Sequence, residues 1–310
     1  MTKVTRPATR LAALPFDDWG RGLGEPIDID VVVWRPGLPW PERADEITFY
    51  VPEYMGPARS LTAMRDLPAL EVVQTLTAGF DDVVAQAPPG VTVCNAAGVH
   101  DASTAELVVG MMIASLRGFA DFTEGQRLGQ WRHTPRPALA DRRVVIVGAG
   151  SVGRAVAARL HPFEVDLVLV ARSARTGIES VDRLPALLRD ADVVVLTVPL
   201  TEQTHHLFDA AMLAVMRDGA LLVNAARGPV VDTDALLAEL ASGRLWAALD
   251  VTDPEPLPPG HPLWSAPQVM ITPHVGGDTS AFLPRAWALL RDQLHRYAAG
   301  EPLQHIVTKG

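Results

Sequence analysis

The chain has 310 residues, enough for two domains, and its 48% hydrophobic and 20% charged residues exclude a disordered chain. A formal net charge of −9 argues against a nucleic-acid-binding surface, which usually carries a basic stripe. No apolar run is long enough to span a membrane, and the basic start at residues 1–10 lacks the apolar core of a signal peptide. Cys94, the one cysteine, can form no internal disulfide. We therefore expect a cytoplasmic globular protein.

The first hundred residues alternate short apolar runs with turns. Their pattern predicts a small α/β layer of three strands and one helix, with the strands at residues 29–34, 71–76 and 91–94 and the helix at residues 58–66. Prolines cluster within residues 35–57, which indicates loops rather than the interior of a helix or strand. Trp40, Tyr50 and Tyr54 in this segment are expected to help line a cleft.

A change of pattern after the first hundred residues indicates a long apolar helix. Ser103 and Glu106 have the spacing of a capping box, residues 107–116 are almost all apolar, and Gly118 can end the helix. Because such a helix has little polar face, we expect a neighbouring domain or a second subunit to bury it, with burial inside its own domain as the alternative. Residues 119–140 are expected to follow as an irregular arm.

From residue 144 onward, strands and helices alternate regularly. Strands are predicted at residues 144–147, 165–170, 193–198, 220–224, 245–251 and 268–272, and helices at residues 152–160, 181–189, 209–216, 233–241 and 282–299. This alternation is typical of an α/β domain whose parallel sheet is covered by helices on both faces. The last helix is expected to pack back onto the first domain, which would make that domain discontinuous.

The first strand of this series runs into the pattern G-A-G-S-V-G at residues 148–153 and then into a helix. Gly148 permits a tight turn, Gly150 lets the backbone approach a pyrophosphate, and Gly153 lets the helix lie close to the strand. The free N–H groups and the dipole at the start of the helix favour an anion. The pattern therefore predicts dinucleotide binding, with a strand–helix turn that binds nothing as the alternative.

The end of the next strand indicates which dinucleotide to expect. A site for NAD usually has Asp or Glu there, to bind the ribose hydroxyls, but this chain has Ala171. The residues that follow include Arg172, Ser173 and Arg175. Their two guanidinium groups and one hydroxyl can bind a 2′-phosphate, which a carboxylate would repel. NADP(H) is therefore the predicted cofactor and NAD(H) the second candidate, while a solvated basic turn is the alternative interpretation.

Three polar residues lie just after the ends of later strands, where open α/β sheets bind their ligands. They are Arg227, Glu255 and His274. Gly276 and Gly277 leave room for a ligand beside the histidine. Taken singly, each residue has a plain interpretation: a surface arginine, a solvated carboxylate between prolines, and a loop histidine. Their occurrence together is what indicates a catalytic site.

The sequence closely resembles the D-isomer-specific 2-hydroxyacid dehydrogenases in the order and spacing of four stretches, residues 148–153, 224–228, 250–263 and 272–277. The resemblance extends from about Gln74 to the last helix and is weakest in the first seventy residues. It implies an α/β fold with a Rossmann-type doubly wound parallel sheet in a dinucleotide-binding domain, residues 99–284. It also implies a smaller flavodoxin-like α/β substrate domain, residues 1–98 and 285–310.

By this resemblance the chain is an oxidoreductase that moves a hydride between NADP(H) and a small 2-oxo or D-2-hydroxy acid, such as glyoxylate or hydroxypyruvate. Arg227, Glu255 and His274 are then the catalytic residues. Arg227 polarises the keto oxygen and grips the neighbouring carboxylate, and His274 donates the proton. Glu255 orients the imidazole and favours its charged form, so reduction should slow as the pH rises and oxidation should show the opposite dependence.

The same resemblance implies the remaining contacts. The substrate carboxylate is expected at Ala78, Gly79 and Arg227. The cofactor is expected at Thr104, Gly148, Gly150, Ser151, Val152, Gly153, Arg172, Ser173, Arg175, Val198, Pro199, Ala225, Asp250, His274 and Gly276. Phe80 is expected either to reshape the substrate pocket or merely to pack. No metal site is expected, since nothing near His205 and His206 in the sequence completes a ligand set.

Other functions stay open at this point. A dinucleotide-sensing corepressor is one alternative, although no disordered tail or basic patch suits that role. Formate oxidation is another, but such sites carry Gln where this chain has Glu255. A long phosphoglycerate dehydrogenase is not expected, because no regulatory domain follows Gly310. The resemblance also implies a homodimer formed through residues 101–117 and 119–140, with no nucleic-acid or membrane partner.

Overall fold

The computed structural model describes residues 10–24 and 27–308. The expectation about a signal peptide falls, apart from Arg10, outside these ranges. The chain divides into two compact units, residues 1–100 with 280–310 and residues 101–279. The first boundary follows residue 100, where the sequence analysis expected it after residue 98. The second precedes residue 280, where it was expected before residue 285. Within the described ranges, every helix is too short or too polar to cross a bilayer.

The strands and helices are numbered in chain order. The strands are β1 (Leu11–Leu14), β2 (Asp30–Val33), β3 (Ile47–Tyr50), β4 (Val72–Gln74), β5 (Thr92–Cys94), β6 (Arg143–Val147), β7 (Asp166–Ala171), β8 (Glu179–Ser180), β9 (Val193–Leu196), β10 (Leu221–Asn224), β11 (Trp246–Leu249), β12 (Val269–Ile271) and β13 (Ile306–Thr308). The α-helices are α1 (Trp19–Leu23), α2 (Arg59–Thr62), α3 (Asp81–Gln86), α4 (Asp101–Arg117), α5 (Phe119–Arg127), α6 (Ser151–Leu160), α7 (Leu184–Leu188), α8 (Ala210–Val215), α9 (Thr233–Ala241) and α10 (Phe282–Ala299).

The unit formed by residues 1–100 and 280–310 contains a six-stranded sheet in the order β13-β5-β4-β3-β1-β2. All neighbouring strands are parallel except β13, which runs antiparallel to β5. The five parallel strands follow the flavodoxin order 2-1-3-4-5. Helix α10 packs in this unit, where Tyr297 meets Phe49 with ring centroids 5.3 Å apart. The last helix and the first part of the chain thus lie in the same compact unit.

The unit formed by residues 101–279 contains a seven-stranded parallel sheet in the order β12-β11-β10-β9-β6-β7-β8. Counted from β6, this is the Rossmann order 3-2-1-4-5-6 with one more strand at the edge. Successive residues of β6 enter opposite cores, since Val144 and Ile146 pack with α4 and α6 while Val145 and Val147 pack with α7 and α9. The strand order reverses between β6 and β9, and such a reversal is where this fold binds its ligand.

Helix α4 differs from its prediction in two ways. It begins at Asp101, so Ser103 lies buried inside the first turn and the predicted capping box is wrong. Its apolar residues pack on α6 and on the sheet of their own unit, which is the intramolecular alternative. Gly118 ends the helix as predicted, in the left-handed region with a φ of 68°.

The segment of residues 119–140 was expected to be wholly irregular, but its first nine residues form α5. Gly118 can turn the chain sharply because it has no Cβ, so a second helix starts directly after α4. The Asp121 carboxylate, in the first turn of α5, accepts hydrogen bonds from Arg132 and Arg136 and fastens the irregular remainder to the helix.

The proline-rich residues 35–57 contain a core strand that sequence patterns missed. Strand β3 lies between β1 and β4, and Tyr50 at its end is buried, with its hydroxyl donating to the Ser60 carbonyl at 2.7 Å. The indole of Trp40 stacks on that of buried Trp34 with centroids 3.8 Å apart. The expectation that Tyr50 lines a cleft is therefore wrong, because its ring fills the interior of the sheet unit.

Candidate active site

The glycine pattern forms the predicted turn between β6 and α6. Gly148 has a φ of 117°, and a Cβ there would lie 2.7 Å from the Thr197 Oγ1. A Cβ on Gly153 would lie 1.8 Å from the carbonyl oxygen of Gly148, so α6 can lie against the turn only without a side chain at this position. Two of the three glycines are thus required by the packing of the protein itself.

Gly150 has no such internal reason to be glycine. No described atom, apart from its immediate neighbours in the chain, lies within 4 Å of a Cβ placed there, and its φ is −74°, which any residue can adopt. It precedes α6, whose start has no side-chain cap. Ser151 donates its hydroxyl to Asp101 Oδ1 at 3.1 Å, and Val152 is half-buried beside it. An open face beside uncapped N–H groups fits the pyrophosphate of a dinucleotide.

The loops after β7 and β9 flank this turn, because both strands are neighbours of β6 in the sheet. After β7, the side chains of Arg172, Ser173 and Arg175 are exposed. In the part of the chain that the structure describes, neither guanidinium has a carboxylate within ion-pair distance. After β9, Val198 is half-buried and Pro199 exposed.

Arg227 lies in the loop that follows β10, and a buried asparagine fixes that loop. Asn224, the last residue of β10, donates from Nδ2 to the Arg227 carbonyl at 3.0 Å and accepts from the Ala226 N–H at 3.0 Å. Arg227 in turn donates from Nη1 to the Ala226 carbonyl at 2.8 Å, and Ala225 is half-buried beside it. The sequence analysis assigned no role to Asn224; its place at a strand end, before a candidate arginine, was the available signal.

Glu255 and His274 form a direct pair. The His274 Nδ1 lies 2.6 Å from Glu255 Oε1, and the two side chains are 29% and 37% exposed. Glu255 follows β11 and His274 follows β12, so neighbouring parallel strands deliver them to the same edge of the sheet. Within the described residues the other ring nitrogen, Nε2, has no partner, which leaves it accessible to a ligand.

Glu255 is held as a carboxylate by its surroundings. Burial raises the pKa of its carboxyl group, but the hydrogen bond and the charge of His274 lower it, with smaller contributions from the Thr252 N–H and the charge of Arg227. The net pKa lies below its ordinary value. The stability that this pair contributes is therefore fully present above the pKa that Glu255 has in the unfolded chain. It is lost as the pH falls through the lowered pKa of Glu255 in the folded protein.

Asp250 is the residue that shapes the His274 loop. Its side chain is 3% exposed, and its carboxylate accepts hydrogen bonds from the Thr272 hydroxyl at 2.6 Å and from two loop N–H groups, those of Val275 and Gly276, at 3.0 Å each. Its carbonyl accepts from the His274 N–H at 2.8 Å. These bonds hold His274 at a φ of 54°, a left-handed conformation that costs free energy in a non-glycine residue.

The neighbourhood of Gly276 explains the position of Thr104. A Cβ on Gly276 would lie 2.9 Å from Asp250 Oδ2 and 3.3 Å from Thr104 Cγ2. Thr104, on the first turn of α4, therefore packs against the same loop. Thr272, which sequence reasoning missed, contributes its hydroxyl to this arrangement. Only the chain fold reveals that role, because a threonine ending a strand carries no distinctive signal.

The expected substrate loop, residues 77–79, lies in the other unit, after β4. It is fastened by several hydrogen bonds, among them that from Asn95 Nδ2 to the Ala78 carbonyl at 2.7 Å. Phe80 follows as the residue before α3 and is half-buried. The structure thus brings Arg227, Glu255 and His274 together within one unit, and it places Ala78 and Gly79 in the other.

A metal ion has no evident place in the described ranges. No group of three or more His, Cys, Asp or Glu side chains there could hold one. The rings of His205 and His206 stack on each other with centroids 4.0 Å apart, and His206 Nδ1 lies 3.9 Å from Asp232.

Comparison with known proteins agrees with this geometry. Residues 109–276 match the family model for the NAD binding domain of the D-isomer specific 2-hydroxyacid dehydrogenases. A curated glyoxylate reductase from Thermofilum pendens is 35% identical over 257 residues, which cover 78% of this chain and 76% of that protein. This chain belongs to the D-isomer specific 2-hydroxyacid dehydrogenase family. It is therefore an enzyme, an oxidoreductase for 2-hydroxy acids that uses a nicotinamide dinucleotide.

Other members of the family support the same conclusion. A glyoxylate/hydroxypyruvate reductase B from Citrobacter koseri is 36% identical over 231 residues, 70% of this chain and 71% of that protein. A family structure from Xanthobacter autotrophicus, solved with NADPH and MES, has a TM-score of 0.81 at 30% identity and covers 97% of this dehydrogenase and 98% of that chain. An NADPH-dependent glyoxylate/hydroxypyruvate reductase from Sinorhizobium meliloti, solved with NADP and sulfate, has a TM-score of 0.82 at 26% identity, with 96% and 98% covered. The predicted family, fold class and enzyme class are confirmed.

Two glycine substitutions separate folding from cofactor binding in this dehydrogenase. Gly153→Ala forces a side chain into the Gly148 carbonyl and should lower the free energy of unfolding by about 1–3 kcal/mol. Gly150→Ala meets nothing in the protein and should change the free energy of unfolding by less than about 0.5 kcal/mol. The added methyl group nevertheless occupies the open face, so NADPH and NADH affinity should fall about tenfold or more. Urea denaturation and cofactor titration measure both quantities. Unchanged cofactor affinity in Gly150→Ala would show that the pyrophosphate does not lie on this face.

Proposed function

We propose that this enzyme reduces the keto carbon of a small 2-oxo acid, of the size of glyoxylate or hydroxypyruvate, and that it prefers NADP(H) to NAD(H). The observation that carries the proposal is the His274–Glu255 pair, 2.6 Å apart, with the charge of Arg227 close enough to affect the same carboxylate. Two curated relatives are a glyoxylate reductase and a glyoxylate/hydroxypyruvate reductase, which favours a small substrate.

The three side chains divide the chemistry among them. The nicotinamide supplies the hydride when the cofactor is bound. Arg227 polarises the keto group, because negative charge grows on its oxygen during reduction. His274 Nε2 donates the proton to that oxygen, while Glu255 holds Nδ1 and stabilises the protonated ring. The lowered pKa of Glu255 keeps this partner ionised to a lower pH than an ordinary glutamate.

The two units then have separate tasks. We assign the dinucleotide to the unit of residues 101–279 and the substrate to the unit of residues 1–100 and 280–310. The N–H groups of Ala78 and Gly79 bind the substrate carboxylate. The dinucleotide contacts are the glycine turn with its helix start, the basic turn and the strand-end residues, namely Gly148, Gly150, Ser151, Val152, Gly153, Arg172, Ser173, Arg175, Thr104, Val198, Pro199, Ala225, Asp250, His274 and Gly276.

The cofactor preference is proposed from the basic turn after β7. Arg172 and Arg175 are exposed and, among the described residues, are not engaged by carboxylates, so both charges are available to a 2′-phosphate. Ala171 puts no carboxylate where the ribose hydroxyls of NAD would be bound. Two family structures contain NADPH or NADP, which favours the same choice.

Substitutions in the pair should separate proton transfer from cofactor binding. His274→Ala should lower kcat for glyoxylate reduction by about 100- to 10,000-fold and leave the NADPH dissociation constant nearly unchanged. Glu255→Gln should keep some activity. In this variant the decline of kcat for reduction with rising pH should begin at a lower pH than in the wild type, because the charged ring has lost its carboxylate partner. The measurements are pH profiles of kcat in both directions.

The sign of these profiles is fixed by the mechanism. Reduction needs the protonated ring and should slow as the pH rises, whereas oxidation needs the neutral ring and should slow as the pH falls. Identical profiles in the two directions, or a His274→Ala variant with normal turnover, would contradict the assigned roles.

The cofactor proposal predicts a change of preference. Ala171→Asp places a carboxylate against the 2′-phosphate and should shift the ratio of kcat/KM for NADPH over NADH by about tenfold or more toward NADH. Arg189→Ala, which removes an exposed arginine elsewhere in the same unit, is the matched control and should leave the ratio unchanged. A wild-type enzyme that already prefers NADH would overturn the proposal.

We also propose a cytoplasmic homodimer in which the arm, residues 119–140, meets a second copy. Three large apolar side chains of the arm are exposed, Phe119 at 51%, Leu128 at 55% and Trp131 at 96%. Such a concentration of apolar surface favours a partner over water.

The dimer proposal can be tested by sedimentation. The wild type should sediment as a dimer at micromolar concentration, and Trp131→Glu should weaken the dimer about a hundredfold, because the charge cannot be buried without a partner. Trp264→Glu alters a second exposed indole of the same unit, 54% exposed and outside the arm, and should not affect the dimer. A monomeric wild type would rule the proposal out.

A further inference from the structure

In the loop of residues 75–79, the carbonyl groups of the last three residues all accept hydrogen bonds. The Thr77 carbonyl accepts from the Ala96 N–H at 2.9 Å and from the Thr75 hydroxyl at 2.9 Å. The Ala78 carbonyl accepts from Asn95 Nδ2 at 2.7 Å. The Gly79 carbonyl accepts from the Thr77 hydroxyl at 2.6 Å. Three consecutive peptide groups are thus fixed in orientation.

Fixing a carbonyl also fixes the N–H that follows it. In a planar trans peptide the C=O and the N–H point in opposite directions, so the bond to the Thr77 carbonyl orients the Ala78 N–H. The bond from Asn95 to the Ala78 carbonyl orients the Gly79 N–H in the same way. In the part of the chain that the structure describes, neither N–H has an acceptor, so both remain available to an anion.

Asn95 is itself held rigidly. Its residue is 8% exposed, its N–H donates to the His305 carbonyl at 3.1 Å, and its Oδ1 accepts from the Ala97 N–H at 3.3 Å. Its carbonyl accepts from the buried Gln74 amide at 3.1 Å, and Gln74 is bonded at 2.6 Å to Gln293 of α10. The side-chain amide of Asn95, which donates to the Ala78 carbonyl, therefore has little freedom to rotate.

We propose that Asn95 is a positioning residue for substrate binding. By holding the Ala78 carbonyl, it aims the Gly79 N–H at the substrate carboxylate before the substrate arrives. Its contribution reaches the substrate through the peptide group and not by direct contact. The inference rests on the proposed function, since it depends on residues 78 and 79 binding that carboxylate.

The test replaces the donor without changing the shape of the side chain. Asn95→Asp keeps an oxygen for the Ala97 N–H but sets a second carboxylate oxygen against the Ala78 carbonyl, which should turn the peptide away. We expect KM for glyoxylate and the dissociation constant of oxalate, an unreactive dianion, each to rise by about ten- to a hundredfold, with kcat changed by less than about threefold.

A matched control comes from the same unit. Tyr297→Phe also removes one hydrogen bond, from the tyrosine hydroxyl to Glu71 at 2.6 Å, but it does not touch the loop. We expect this variant to keep the wild-type KM and oxalate affinity. A second readout is the pH dependence of Asn95→Asp relative to the wild type. Once protonated, the new carboxyl group can donate to the Ala78 carbonyl, so the KM defect should shrink as the pH falls from about 8 to about 5.

The outcomes separate the inference from the proposed function. Unchanged KM and oxalate affinity in Asn95→Asp would overturn the inference while glyoxylate reduction stands. Equal defects in Asn95→Asp and Tyr297→Phe, without recovery at low pH, would also overturn it, because general loss of stability would then suffice. A wild type that reduces no 2-oxo acid would overturn the proposed function, and oxalate titration of the three proteins, with and without NADP, would still decide the inference.

Discussion

The site of this dehydrogenase depends on one buried carboxylate. Asp250 has almost no contact with solvent, and a charge so placed is tolerated only when donors surround it. The Thr272 hydroxyl and two loop N–H groups provide those donors, and their geometry leaves the intervening histidine in a left-handed conformation. The hydrogen bonds to the Asp250 carboxylate offset the free-energy cost of that conformation. The fold, rather than the rotamer preference of the histidine, therefore sets the direction of the imidazole.

The parallel sheet supplies the second constraint. Strands β10, β11 and β12 are neighbours, and the loops that follow them carry Arg227, Glu255 and His274 in that order. The backbone of the first loop even touches the second, since a Cβ on Gly228 would lie 1.9 Å from the Thr252 carbonyl oxygen. Glu255 and His274, nineteen positions apart, are thereby set within hydrogen-bonding distance by consecutive strands, and the charge of Arg227 lies close enough to act on Glu255, as expected at the carboxyl edge of such a sheet.

Much of this could be predicted from the sequence, for a physical reason. The alternation of buried strands and helices, the G-A-G-S-V-G turn and polar residues at strand ends are local signals, and they predict an α/β domain with a dinucleotide site. The resemblance of four stretches to a known family predicts the family. The helix at residues 282–299 and the one at 233–241 even have the predicted bounds. The roles assigned to individual site residues stay predictions, although the pairing of Glu255 with His274 agrees with them.

What the sequence could not reveal depends on contacts between distant residues. Strand β3 lies among prolines, and nothing local shows that its neighbours β1 and β4 will bury it. Helix α5 was missed because Trp131 and two prolines, Pro135 and Pro137, follow it and mark the whole arm as irregular. The hydrogen bond from Asn95 to Ala78 joins residues seventeen positions apart, and an asparagine after a strand has many uses.

The division of the chain into two units has a consequence for selectivity. Under the proposed function, the groups that handle the proton and the cofactor are encoded by one continuous stretch, residues 101–279, while most of the acid-recognition surface is encoded by the flanking stretches. The family model for the NAD binding domain matches inside the continuous stretch, at residues 109–276. Under that proposal, substitutions in the flanking stretches change which acid is bound and leave intact the residues that carry out the reduction.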